Sequence, residues 1–213
     1  IRRPPRSTQG VSSAASDVYK RQVQAAGKER RIEMEFVPLH IIHLDQDDPK
    51  KCTARKMEKF ESAIVHNNVS KSPKRGFLLN PKSDEILGPD DKRIINLGAS
   101  IVALDCSWKK IDSSLDYIEK KTKLVSKSLP LVLAANEVSW GKPGRLSTVE
   151  AFAISLWILG KEKQARDILK PFRFGDQFLE LNKEPLEAYA NAKSNHELEK
   201  LQWDFFNKSL LSD

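Results

Sequence analysis

The residues with the clearest chemical potential stand where an apolar run ends. The stretch "IVALDCSWKK" (101–110) leads from a predicted buried strand directly into Asp105, Cys106, Ser107 and Trp108. Ligands of open parallel sheets bind at the carboxyl ends of strands. A carboxylate there can take or orient a proton, and a tryptophan can cover a cation. The stretch therefore predicts a ligand crevice, although Trp108 taken alone is more typical of a core.

Three other polar groupings have two interpretations each. Asp45, Asp47 and Asp48 could bind a hard cation, but acids are also favoured at a turn and helix start, and we favour the helix start. The segment 49–56, "PKKCTARK", is either a basic helix start that holds a carboxylate or phosphate, or a solvated helix face. The loop 136–147, "NEVSWGKPGRLS", either wraps a ligand and offers backbone amides to it, or only connects two elements.

Thiol and metal chemistry are not favoured. The two cysteines, Cys52 and Cys106, form no disulfide framework and no metal-binding pair, so we expect reduced thiols and no metal. Four histidines are present, and they fall in no nucleophile motif with either cysteine: His40, His43, His66 and His196. A cysteine nucleophile is therefore not predicted.

The composition is that of an ordinary soluble protein. The chain has 213 residues, of which 39% are hydrophobic and 31% charged. The longest apolar candidate, "AFAISLWILG", is about half the ~20 residues that a membrane helix needs. The net charge is +7, but residues 1–22 carry +4 of it, from five basic residues and one acid. We expect this tail to be disordered adapter-derived sequence, with a basic arm that contacts RNA as the alternative.

The elements that must position these residues follow from apolar periodicity. In the first half we predict strands within 36–45, 75–81 and 99–105, with helices after Pro49 and within 91–98. This order is typical of an α/β layer with a parallel sheet. Residues 109–128 predict a solvated helix or a connection.

The second half is predicted to be mainly helical. Ser147 and Glu150 have the spacing of a capping box, and an apolar helix follows them. Three amphipathic helices are predicted in the remaining sequence. We therefore divide the chain into the tail 1–22, an α/β domain 23–128 and a mainly helical domain 129–213.

Four separated stretches occur together in a recognisable order: "DDPKKCT" (47–53), "LDCSWKK" (104–110), "LPLVLAANEVSWGKPGRLSTVEAFA" (129–153) and "FGDQFLELNKEPLEAY" (174–189). In order and spacing they resemble the ribosomal small-subunit RNA aminocarboxypropyltransferases, a SPOUT-like family of archaea and eukaryotes. The resemblance covers about Asp45 to about Tyr189, which is most of the chain after the tail.

The resemblance implies a fold and an activity. The fold would be a SPOUT-like parallel sheet with a trefoil knot, completed by the helical C-terminal part. The enzyme would move the 3-amino-3-carboxypropyl group of S-adenosylmethionine to a ring nitrogen of a uridine or (methyl)pseudouridine in small-subunit rRNA, releasing methylthioadenosine. It would act as a cytoplasmic monomer in ribosome biogenesis.

The resemblance also assigns roles to residues. Asp105 would accept or orient the acceptor's proton as the catalytic residue, Trp108 would pack along the transferred chain, and Thr53 would bind the methionine carboxylate. The loop that ends at Thr148 would enclose adenine and ribose, largely through backbone groups. The complete cofactor-binding set is Thr53, Asn80, Leu104, Trp108, Leu129, Gly144 and Thr148.

The partner implied is small-subunit rRNA or a pre-ribosomal particle, and no membrane. The RNA-binding residues would be basic ones that flank the crevice motifs: Lys50, Lys51, Arg55, Lys56, Lys109, Lys110, Lys142 and Arg145. The net charge of +3 outside the tail is modest, which predicts weak, salt-sensitive binding to free RNA. A SPOUT-class RNA methyltransferase and a non-catalytic ribosome-assembly factor are the alternatives.

The chain departs from the family pattern at a few positions. Gly144 stands where many members carry an aromatic residue that covers the cofactor, and "SWG" (139–141) replaces "NYG". Glu137 and Phe174 replace a proline and a tryptophan. The absence of an aromatic side chain at Gly144 predicts weaker cofactor binding, unless Trp140 takes that place.

Overall fold

The computed structural model describes residues 36–44, 53–105 and 111–207, with no side-chain detail for 111–113. The chain divides after Phe36, and the fold below is that of the unit 37–213. Its described strands are β1 Leu39–His43, β2 Ile64–His66, β3 Gly76–Leu79, β4 Ser100–Asp105 and β5 Val125–Lys127. Its described helices are α1 Thr53–Lys59, α2 Lys92–Asn96, α3 Ile111–Lys121, α4 Thr148–Ile158, α5 Glu162–Leu169, α6 Gly175–Leu181, α7 Lys183–Asn191 and α8 Asn195–Phe205.

The strands form one parallel sheet in the order β2-β1-β4-β3-β5. The longest strand, β4, lies at its centre, and Ile101 and Val102 in it have no exposed surface. A parallel strand covered on both faces reads as a continuous apolar run, as "SIVAL" does. The α/β class, the parallel sheet and the mainly helical second half are therefore confirmed.

Two edge strands and one helix were not predicted. Strands β2 and β5 have only three residues each, and β5 is "VSK", so neither shows alternation long enough to recognise. Helix α6 begins at Gly175, and because glycine disfavours helices, the sequence pattern predicts no helix there.

Each face of the sheet has its own core. On one face, Ile42 and Val102 pack with Leu115 and Ile118 of α3. On the other, Ile41 and Ile101 belong to the cluster that includes α4. Nine of the eleven residues of α4 are buried, so this helix is the centre of the larger core and not an amphipathic surface helix. The larger core contains residues from before and after residue 129. The division of the chain into two domains at residue 129 stays a prediction.

The apolar stretch 129–136 lies outside the sheet because side chains bind its backbone. Gln202 accepts a hydrogen bond from Leu131 N–H (3.3 Å) and Tyr189 donates one to the Leu131 carbonyl (2.8 Å). Asn182 accepts from Leu133 N–H (2.7 Å) and donates to the Leu133 carbonyl (2.9 Å). Burial raises the pKa of the Tyr189 phenol, which therefore stays a donor. The helices thus supply the partners that a neighbouring strand would give.

The last helix is tied to the segment before α2. Asn195 exchanges hydrogen bonds of 3.0 Å with Asp90 and donates to Asp91 (3.1 Å). The buried Lys127 at the end of β5 pairs with the same Asp91 (3.3 Å) and with Glu85 (3.1 Å). These contacts connect the sheet edge with the C-terminal helix. In the described part of the chain, no helix combines the length and apolar character needed to cross a membrane.

Replacing Asn182 by alanine is expected to lower the free energy of unfolding by about 2–3 kcal/mol, because it leaves both polar groups of Leu133 without their partner. Urea unfolding followed by circular dichroism measures this change. Asn191→Ala is the control, since that exposed side chain donates a hydrogen bond to the Glu187 carbonyl in its own helix, and it should change stability by under about 0.5 kcal/mol. Equal effects of the two variants would contradict the role of Asn182.

A histidine pair at the edge of the sheet predicts a pH effect. His40 Nδ1 lies 2.9 Å from His66 Nε2, which requires an uncharged ring on at least one side. Burial, and secondarily the charge of His66, lowers the pKa of His40 to about 4, and burial also lowers the pKa of His66.

Stability is expected to fall as the pH drops from about 7 towards 4, because the unfolded imidazoles, with a pKa of about 6.5, bind protons that the folded ones do not. His40→Gln should reduce the steepness of this fall. Urea unfolding at several pH values measures it, and an NMR titration of the His40 ring gives its folded pKa directly. A steepness that is unchanged in His40→Gln would contradict the assignment.

Candidate active site

An acid, an imidazole and a hydroxyl meet at the carboxyl edge of the sheet. His43 and Asp105 are the last residues of the adjacent strands β1 and β4, and they are register partners. His43 Nδ1 lies 2.8 Å from Asp105 Oδ2, and Thr148 Oγ1 donates to Asp105 Oδ1 at 3.3 Å. The parallel topology makes this contact possible, since the ends of parallel strands share one edge.

The Asp105 carboxylate is fixed through both oxygens. The side chains of His43 and Asp105 are 4% and 12% exposed, so they are shielded from bulk water. The Nδ1 contact fixes the tautomer of a neutral His43, because Nδ1 must carry the proton that it donates to the carboxylate. The arrangement holds an oriented carboxylate at the carboxyl edge of the sheet, which suits proton acceptance or the stabilisation of a nearby cation.

The buried carboxylate of Glu150 in α4 binds Ser147, the residue directly before Thr148. Glu150 Oε1 accepts from the backbone N–H groups of Ala135 (2.7 Å) and Asn136 (3.0 Å). Its Oε2 accepts from Asn136 Nδ2 (2.8 Å) and from Ser147 N and Oγ (both 2.7 Å). The predicted capping box of Ser147 and Glu150 is confirmed, and the carboxylate also binds Ala135 and Asn136, where the loop begins.

The 136–144 loop is ordered by its own hydrogen bonds. Asn136 Oδ1 accepts from Val138 N–H (3.2 Å) and Ser139 N–H (3.0 Å). Ala134 closes the loop by accepting from Gly141 N–H (2.7 Å) and donating to the Lys142 carbonyl (3.1 Å). The backbone amides of residues 133–136 are thus bound within the protein. Recognition of adenine and ribose through the backbone would therefore use other groups, such as those of Leu129.

The remaining predicted cofactor residues have different places in the chain. Thr53 is the first residue of α1, and Leu104 and Leu129 are partly buried. The amide of Asn80, directly after β3, donates to Glu119 (2.9 Å) and accepts from Lys82 N–H (2.9 Å). Asn80 therefore helps to shape the wall and has its side chain already bound. Trp108 lies outside the described residues.

Gly144 ends the loop in the left-handed region, with φ of 69°. A Cβ there would also lie 3.3 Å from Leu131 Cδ2. Any side chain at this position would be strained, and this explains why the chain has glycine where an aromatic residue was expected from the resemblance.

The described members of the predicted RNA-binding set are all exposed. Arg55 forms a loose pair with Glu58 (3.8 Å), and the Lys56 ammonium lies 5.9 Å from the centre of the Phe172 ring. Lys142 and Arg145 flank the end of the loop. Lys50, Lys51, Lys109 and Lys110 lie outside the described residues.

Sequence reasoning did not find His43 as a site residue. The histidine was considered only as a partner of a cysteine nucleophile. The signal that could have found it is its place at the end of a predicted strand, equivalent to that of Asp105. This signal was not sufficient, because the local sequence does not show that β1 and β4 are neighbours in the sheet.

Two family models match the chain. The model described as "Ribosome biogenesis protein, C-terminal" matches residues 77–206, and "Possible Fer4-like domain in RNase L inhibitor, RLI" matches residues 37–70. A [4Fe–4S] cluster is held by four cysteine thiolates, whereas the segment 37–70 contains one cysteine, Cys52. The second match therefore carries no argument for an iron–sulfur cluster.

Relatives in archaea are similar over almost their full length. The chain is 43% identical over 167 residues to a protein of Methanococcoides burtonii named 16S rRNA aminocarboxypropyltransferase, covering 78% of this chain and 94% of the relative. It is 40% identical over 170 residues to the protein of that name from Methanocaldococcus jannaschii, covering 80% and 96%. The chain belongs to the 16S rRNA aminocarboxypropyltransferase family.

A solved structure of this family agrees with the fold. The SAM-dependent rRNA:acp-transferase Tsr3 from Vulcanisaeta distributa superimposes with a TM-score of 0.67 at 32% identity, covering 78% of this chain and 97% of that chain. The resemblance in four sequence stretches is thereby confirmed, and the aminocarboxypropyltransferase family is one of S-adenosylmethionine-dependent transferases.

Replacing Glu150 by glutamine is expected to lower the free energy of unfolding by about 2–4 kcal/mol and to disorder residues 135–147, which lead to Thr148. Oε1 accepts two hydrogen bonds and Oε2 accepts three. Whichever oxygen is replaced by the amide nitrogen, the new N–H groups would face the donors that now bind that oxygen. Urea unfolding measures the loss, and amide hydrogen exchange at residues 135–147 shows whether the loop is released. Glu187→Gln, on the exposed side of α7, is the matched control and should behave as the wild type.

Proposed function

We propose that this protein transfers the 3-amino-3-carboxypropyl group of S-adenosylmethionine to a ring nitrogen of a uridine or (methyl)pseudouridine in small-subunit rRNA, releasing methylthioadenosine, as a step of ribosome biogenesis. The observation that carries the proposal is the Asp105 carboxylate, which His43 and Thr148 hold at the carboxyl edge of the sheet in a chain of this family. We also propose a SPOUT-like trefoil knot and a cytoplasmic, monomeric enzyme, on family membership alone.

The residues at the edge suit the chemistry of this cofactor. Leu104 and Leu129 offer partly buried apolar surface, which fits an adenosyl group, and the carboxylate of Asp105 fits the neighbourhood of a positive charge. When bound, the cofactor would supply an electrophilic carbon, and the electron pair of its bond to the cationic sulfur would go to sulfur, leaving methylthioadenosine as a neutral thioether. Thr53, Asn80, Trp108, Gly144 and Thr148 complete the proposed binding set.

Asp105 is the proposed proton acceptor. The acceptor nitrogen carries a hydrogen that must leave when the nitrogen gains its new carbon, and an oriented carboxylate can take it. Thr148 and His43 each contact one oxygen of Asp105, and these two contacts fix the orientation of the carboxylate. His43 is proposed to act as a positioning residue, through its contact with Asp105.

Positioning is the main task proposed for the rest of the site. Three carbons are bonded to the sulfur, and the carbon that faces the acceptor decides which group is transferred. Trp108 along the transferred chain and the ordered 136–144 loop would set this choice. Exposed basic residues, among them Arg55, Lys56, Lys142 and Arg145, would attract the phosphates of the RNA together with Lys50, Lys51, Lys109 and Lys110.

The proposal is tested with S-adenosylmethionine labelled in the carboxyl group and small-subunit rRNA, free or in a pre-ribosomal particle. Label in the RNA and methylthioadenosine as the by-product support it. S-adenosylhomocysteine with no label in the RNA would instead identify a methyltransferase. Cofactor or RNA binding without any product would identify an assembly factor.

Asp105→Asn is expected to lower the transfer rate by about 100-fold or more, because the amide keeps the size of the side chain but cannot take a proton. Single-turnover transfer of the label measures the rate, and calorimetry with S-adenosylmethionine shows whether the cofactor still binds. Asp116→Asn, an exposed acid on α3, is the control and should keep the full rate. Wild-type transfer by Asp105→Asn would exclude its proposed role.

A further inference from the structure

The 136–144 loop presents two apolar side chains to solvent. Val138 is 81% exposed and Trp140 is 55% exposed, on a loop whose backbone is held by Asn136, Ala134 and Glu150. A mobile loop could fold such side chains inwards, but this one is fixed by hydrogen bonds at both of its ends. An ordered loop that keeps a tryptophan in water is typical of a surface that binds a partner.

The charges around Trp140 indicate what kind of partner fits. Lys142 and Arg145 are exposed on the same short segment, with Glu137 as the one exposed acid between residues 136 and 147. A flat aromatic face beside basic side chains is the combination that binds unpaired bases and their phosphates. A cofactor with a net positive charge is disfavoured beside two basic residues, whereas a phosphate chain is favoured.

The loop also lies next to the proposed chemistry. It leads through Ser147 into Thr148, whose hydroxyl donates to Asp105. Glu150 binds both the beginning and the end of this segment, so the position of Trp140 is coupled to that of Thr148. A base that stacks on Trp140 would therefore be held at a fixed place relative to the Asp105 carboxylate.

We infer that Trp140 is a stacking platform for an unpaired base of the small-subunit rRNA, next to the nucleotide that enters the active site. The inference rests on the proposed function for the identity of the RNA. It makes Trp140 a residue that positions the substrate, with Lys142 and Arg145 contacting the adjacent phosphates. Stacking on an uncharged ring does not depend on salt, whereas the contacts of basic residues with phosphates do. The salt dependence of RNA binding therefore separates the contribution of Trp140 from that of Lys142 and Arg145.

The test compares Trp140→Ala, Trp140→Phe and Lys142→Ala with the wild type. The RNA probe is a single-stranded small-subunit rRNA segment that contains the modified position, and its Kd is measured by fluorescence anisotropy at several salt concentrations. Trp140→Ala should weaken RNA binding about 5- to 100-fold with an unchanged salt slope, and Trp140→Phe should restore most of the affinity. Lys142→Ala should reduce the salt slope by about one.

Calorimetry with S-adenosylmethionine provides the second readout. Its affinity should be the same in Trp140→Ala and the wild type. Leu97→Ala is the matched control, since this side chain is 64% exposed and directly precedes the turn into β4, at the opposite edge of the sheet. It should leave both affinities unchanged.

Two outcomes would overturn the inference. Weaker cofactor binding with unchanged RNA binding would make Trp140 a cover of the cofactor, and unchanged binding of both would leave it without a role. The proposed function fails separately, through wild-type protein that transfers no label to rRNA. In that case a selective loss of RNA binding in Trp140→Ala would still support the stacking platform.

Discussion

The buried carboxylate of Glu150 is the interaction on which the active edge depends. It gathers donors from Ala135, Asn136 and Ser147, and so it joins a segment outside the sheet to the first turn of the central helix. A charge with no exposed surface is costly unless several hydrogen bonds surround it. Here backbone amides, a side-chain amide and a hydroxyl replace the water. The result is a rigid corner from which Thr148 reaches Asp105.

The corner also limits how the site can bind its ligands. The amides of residues 133–136 serve the protein itself, and the amino end of α4 already faces a carboxylate. An anion has no place there, although such a helix end is often an anion site. These amides are therefore not available to a ligand.

Sequence reasoning reached the features that depend on local patterns. Apolar runs located β1, β3 and β4, and the strand end placed Asp105 at the active edge. Features that depend on distant pairing were not accessible. The contact between His43 and Asp105 needs the neighbourhood of β1 and β4, and the bonds of Leu131 and Leu133 need helices that come much later in the chain. Strands β2 and β5 were too short to show any periodicity.

The dependence of residues 131–136 on later helices has a consequence for synthesis. Asn182, Tyr189 and Gln202 leave the ribosome after the segment that they bind, and domains fold as their sequence becomes complete. The sheet, with its last strand at Lys127, can pair earlier, but the corner that carries Thr148 cannot close until α8 has emerged. A nascent chain therefore lacks the contact between Thr148 and Asp105 until residues 182–202 have been synthesised.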